Sequence, residues 1–111
     1  MLEYLFANKN VEKILIYIHL HGKANATQLS KAFDSALNPI QKTLNKLEEG
    51  GLLASFLEGR TRVFCWNLRY HFLEEIQALA KKAYEALPLN IQQSQYQSTK
   101  RKRPRKTGKP L

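Results

Sequence analysis

The stretch NPIQKTLNKLEEGG, Asn38 to Gly51, carries a helix start and a helix stop close together. Asn38 is the expected cap and Pro39 the first helical residue, where a missing N–H leaves no bond unmade. Gly50 and Gly51 end the helix. At about 100° per residue, Ile40, Leu44 and Leu47 group on one side and must face a core. The opposite side carries Asn38, Lys42, Asn45 and Glu49, flanked by Gln41 and Lys46, with Thr43 nearer the core boundary. Amides donate and accept together, so Asn or Gln can pair with an adenine edge, while lysines suit phosphates or guanine acceptors. Alone, such a face is equally well explained as solvated surface. The segments on either side decide between the two.

Upstream, KANATQLSKAFD predicts a short helix over 26–33, with Ala26, Leu29, Ala32 and Phe33 facing inward. Asp34, Ser35 and Ala36 then make a tight connection, and Asp tolerates left-handed backbone better than most residues. Downstream the period changes from helix to strand. LLASFL and RVFCWNL flank EGRT, a glycine-containing turn of hairpin length. In the second strand Phe64, Trp66 and Leu68 are expected on one face, Val63 and Cys65 on the other. Two helices joined by a tight turn define a helix-turn-helix, and a hairpin directly after them makes the winged form.

These residues also resemble a known family. LNPIQKTLNKLEEGGLL followed by EGRTRVFCWNLRY is similar to the winged helix-turn-helix regulators of bacteria and archaea, of the ArsR/MarR-like kind. The helix end LEEGGLL and the tip EGRTR carry the likeness, which spans about residues 8–87. It implies a transcriptional regulator, a repressor that occludes promoter DNA. Two departures stand out. Asp34 occupies a turn position where glycine is common, and the cysteine pairs of metal-sensing relatives are absent. A metal-responsive role is therefore disfavoured, but DNA binding is not.

By this reading Asn38, Gln41, Lys42, Asn45 and Lys46 form the reading face of the third helix. Arg60, Thr61 and Arg62 at the wing tip are expected to meet backbone or a minor groove. Charged hairpin tips also serve solubility, so the wing gains its meaning from the helix beside it.

Two further helices frame this unit. NKNVEKILIYIHLHG begins at a cap, Asn8 or Asn10, and stops at Gly22. Val11, Ile14, Leu15 and Ile18 form one apolar surface and Ile16, Tyr17 and Leu20 another, so the helix must be buried on more than one face. Its own domain would cover one side and, as one option, a second subunit the other. In YHFLEEIQALAKKAYEAL, ended by Pro88, Leu73, Ile76, Ala80, Ala83 and Leu87 follow the spacing of a short coiled-coil seam. This seam is expected to form a homodimer; simple packing on the domain body would produce the same spacing.

Charge separates body from tail. The chain has 18 Lys/Arg against 9 Asp/Glu, a net charge of +9. Residues 1–88 hold 11 of the basic residues and all 9 acids, whereas 89–111 hold 7 basic residues and no acid. A basic excess points to a polyanion. A winged domain over 1–88 and a disordered basic tail over 89–111 are expected. In the tail, Lys100, Arg101, Lys102, Arg103, Arg105 and Lys106 would attract DNA backbone without reading sequence. KRKRPRK resembles the basic core of an AT-hook but lacks its central glycine.

Other classes fit less well. No Gly-rich phosphate loop, nucleophile elbow or paired metal motif is present, so no enzyme, metal or cofactor is expected. His19 and His21 lie two apart and point to different sides of a helix. Cys65 is the single cysteine, which excludes an internal disulfide and fits a reducing compartment. The start MLEYLFANKN does not read as a signal peptide, and no segment is long enough to span a bilayer. The expectation is thus a mainly α protein with a small β-hairpin (α+β), a winged helix-turn-helix with a C-terminal dimerisation helix. It would be cytoplasmic, nucleoid-associated and bound to double-stranded DNA as a homodimer. A winged helix used for protein or RNA partners is the chief rival, followed by a metal- or redox-responsive regulator.

Overall fold

A computed structural model describes residues 3–97; the six basic tail residues named above lie outside them. The described chain is mostly helical with a small three-stranded antiparallel sheet, an α+β arrangement. Helix α1 covers Glu3–Phe6 and α2 covers Lys9–His21. Asn8 caps α2, its side chain accepting from the Asn10 N–H at 2.8 Å, and Gly22 closes it.

Helix α2 is the centre of the core. Ile14, Leu15, Ile16, Tyr17 and Ile18 are all buried within one chain. The Ile16/Tyr17 surface is thus covered by the chain itself and needs no second subunit. Helix α5, Leu73–Ala86, packs on α2, and α3 and α4 close other sides. Helix α1 and the strand after Gly22 add to the cover, and so do residues after Pro88. Leu89–Ile91 form α6, and Gln92–Gln97 form a π-type turn that returns to the body.

Tyr96 is only 2% exposed there, with ring centroids 5.5 Å from Phe33 and 5.9 Å from Tyr84. Its carbonyl bonds the His21 ring at 2.8 Å. The Gln92 amide donates to the Tyr84 and Leu87 carbonyls at the end of α5. Burial, with the nearby Glu12 charge adding to it, pushes the Tyr96 phenol well above its ordinary pKa. The folded body thus runs through Gln97 rather than stopping at Pro88. The Gln/Ser composition suggests disorder, but one tyrosine and one amide supply the anchors.

Helix α3, Ala26–Phe33, starts with a reciprocal cap between Asn25 and Gln28. It ends at Asp34, whose backbone is left-handed (φ 51°), as the turn required. Ser30 then holds the connection, its hydroxyl donating to the Ser35 carbonyl at 2.6 Å. Helix α4 covers Leu37–Glu49 and starts earlier than expected. Ala36, not Asn38, is the capping position, and no side chain caps the helix. The Ser30 bond already fixes the turn. Asn38 is consequently left exposed inside the first turn, and Pro39 still falls where its missing N–H is harmless.

The sheet has the order β1-β3-β2, from Lys23–Ala24, Leu53–Glu58 and Thr61–Trp66. Glu58 pairs with Thr61 across a two-residue turn in which Gly59 takes φ 63°, a conformation that favours glycine. Phe64 faces the core and Trp66 packs at its edge, but Leu68 is 81% exposed and not on their face. The strand stops because Asn67 bends the chain, its side chain accepting from the Arg69 N–H and donating to the Gly51 carbonyl.

Candidate nucleic-acid interface

Of the thirteen residues of α4, Ile40, Thr43 and Leu44 are buried. Thr43 is held in place, its hydroxyl donating to the Pro39 carbonyl at 2.9 Å and accepting from the Asn8 amide at 3.4 Å. Asn38, Gln41, Lys42, Asn45 and Lys46 are all exposed, so the structure brings the five expected residues onto one solvent face. Arg60, Thr61 and Arg62 are exposed as well.

The two groups meet. Gln41, Arg60, Thr61 and Arg62 line one open cleft of about 300 Å³, together with Asn25 and Thr27 at the start of α3. An amide, two guanidinium groups and hydroxyls around an open cleft make a donor-rich surface. Such a surface can hold an anionic oxygen or a base edge.

Glu48, which helical spacing leaves without a role, has one here. Its carboxylate accepts from the Ser55 hydroxyl at 2.5 Å, and that hydroxyl accepts from Arg62 at 2.7 Å. The end of α4 is thereby joined to the hairpin, and Arg62 is aimed by the joint. Charge-assisted bonds are the stronger kind, so this relay restricts an otherwise flexible arginine. Lys23 and Glu58 add an exposed ion pair between β1 and β2. Residue type could have flagged Ser55 only through the hairpin register, since Glu48 and Ser55 lie seven residues apart.

The five seam residues divide. Ala80 and Ala83 are buried in the chain's own core, while Leu73, Ile76 and Leu87 are half-buried. Two of the five are therefore already in use within the chain, because α2 needs these small residues for close packing. Phe72 and Leu68, just before α5, are exposed.

Among the described residues, no group of three His, Cys, Asp or Glu side chains is placed to hold a metal ion. His21 is engaged by the Tyr96 carbonyl, and Cys65 is a half-buried thiol on β3. Among the described residues no helix is long and apolar enough to cross a membrane. The chain matches no protein-family model, no curated protein and no solved structure.

Proposed function

We propose that this chain is a winged helix-turn-helix protein that binds double-stranded DNA as a homodimer and regulates transcription. In this reading α4 enters the major groove, and the β2–β3 hairpin is the wing on the flanking backbone or minor groove. One observation carries it: the exposed Gln41 amide of α4 and the arginines of the hairpin tip converge on a shared cleft. Solubility alone requires charge at both places but not their convergence. Bound DNA would be occluded, so the regulator would act as a repressor, and such a role carries a cytoplasmic, nucleoid-bound location with it.

The second copy would dock through the exposed Leu68 and Phe72 just before α5 and the half-buried Leu73 that opens it, rather than through the buried Ala80 and Ala83. Two copies of α4 would then read half-sites about one helical turn apart. Sedimentation of a Phe72→Ser, Leu73→Lys variant should give monomer; an unchanged dimer would move the interface elsewhere. For function, selection from a random duplex pool at stated salt should enrich a near-palindromic sequence. Failure to enrich any duplex would overturn the reading in favour of a protein or RNA partner.

A further inference from the structure

The exposed face of α4 has two different flanks. At about 100° per residue, Asn38, Asn45 and Glu49 lie in the middle, Gln41 on one side, and Lys42 and Lys46 on the other. Gln41 turns toward the hairpin and shares its cleft. Lys42 and Lys46 turn the opposite way, toward the start of α2. There they line a separate open cleft of about 230 Å³ with Asn8, Asn10 and Pro39. The two clefts have no residue in common.

The second cleft is braced and positively charged. Asn8 is bonded both to the Asn10 backbone and to Thr43, so the start of α2 is fixed against α4. Among the described residues neither Lys42 nor Lys46 has an ion-pair partner. Both are exposed. Two unpaired lysines beside an open notch leave positive charge that the protein itself does not neutralise.

We infer that this cleft of Asn10, Lys42 and Lys46 is a second backbone site, which takes phosphates on the rim of the major groove opposite the hairpin. The inference rests on the DNA-binding reading above and divides its helix face into distinct roles. A helix with its side chains is about 10–12 Å across, and the major groove is about 12 Å wide. Surfaces packed on both flanks of an inserted helix therefore meet the two phosphate walls. Arg60 and Arg62 serve one wall, Lys42 and Lys46 serve the other, and Asn38 and Asn45 face the base edges between them. Lys42 and Lys46 accordingly position the helix and do not read sequence.

The test is salt-dependent binding of the full chain to its selected duplex, with single phosphates replaced by neutral methylphosphonates. The wild type should be sensitive at two phosphate clusters, one on each side of the groove. Lys42→Gln with Lys46→Gln should remove sensitivity at one cluster and flatten the salt slope by ~0.9 for each phosphate no longer neutralised. Arg60→Gln with Arg62→Gln should remove sensitivity at the other. Asn10→Asp, an acid in the first turn of α2 that favours the helix, should keep the fold and still weaken binding. An unchanged slope in the lysine variant, or a relaxed preference at one base pair, would overturn the inference and leave the DNA reading standing. A wild type that binds no duplex would sink both, before any variant is compared.

Discussion

Helices α2 and α4 are both thirteen residues long, yet they are used in opposite ways. Helix α2 buries Ile14 through Ile18 without a break and is covered from several directions by its own chain. Helix α4 buries one narrow side and leaves its amides and lysines in solvent. A helix apolar nearly all round is structural wherever its cover comes from, and here a single chain supplies that cover. The exposed helix is the one with surface to spare for a partner. Stability should therefore respond to α2 and its cover, and binding to α4.

The largest effect is expected at the cover itself. Tyr96→Ala should cost roughly 3–5 kcal/mol in denaturant unfolding, as loss of a large buried aromatic does. A loss below about 1 kcal/mol would mean that residues 89–97 are not part of the core. Next, Ile16→Ala on the second surface of α2 should cost roughly 2–5 kcal/mol, even in a monomeric variant. Lys42→Gln on α4 should stay within about 0.5 kcal/mol. If Ile16→Ala were harmless in the monomer, that surface would need a second subunit after all.

How far these features could be read from sequence depends on how local their signals are. The α3–turn–α4–hairpin order was legible because caps, glycines and a change of period all sit within the elements they define. Asp34 met its left-handed conformation for the same reason. The face of α4 was legible too, since helical spacing alone sorts Ile40 and Leu44 from Asn38 and Asn45. Non-local features were not. β1 has two residues, too few to show alternation, and exists only because β3 lies beside it. Tyr96 was hidden by the glutamines around it. The Leu73–Leu87 stripe has the same spacing whether it packs on α2 or on a second copy, so spacing could not tell that Ala80 and Ala83 were already taken. Glu48 gained a role only when the hairpin register brought Ser55 and Arg62 next to it.

Smaller effects sharpen the contrast. Ser55→Ala breaks the relay that aims Arg62, and should weaken duplex binding by about 1 kcal/mol, the value of one hydrogen bond. Fluorescence anisotropy with a labelled duplex would show this, and unchanged affinity would make the relay irrelevant to binding. The smallest effect is one of pH. In the unfolded chain a tyrosine ionises near pH 10, whereas burial holds the folded Tyr96 phenol neutral beyond that. Above roughly pH 10 the unfolded state binds fewer protons, so stability falls as pH rises. Tyr96→Phe should reduce this alkaline slope and leave neutral stability little changed. Urea midpoints between roughly pH 9 and 11 would reveal it, and an identical slope in the variant would place Tyr96 in water.

The central claim is that the exposed side of α4 reads duplex DNA, and Asn45, in the middle of that side, tests it most directly. The base preferences of wild type and Asn45→Ala would be compared on the selected site at one fixed salt concentration. The account predicts a preference relaxed by about 1–3 kcal/mol at one base pair and its symmetry mate, with the rest of the profile unchanged. An identical profile for Asn45→Ala would contradict it, because the residue best placed to read a base would then be reading nothing.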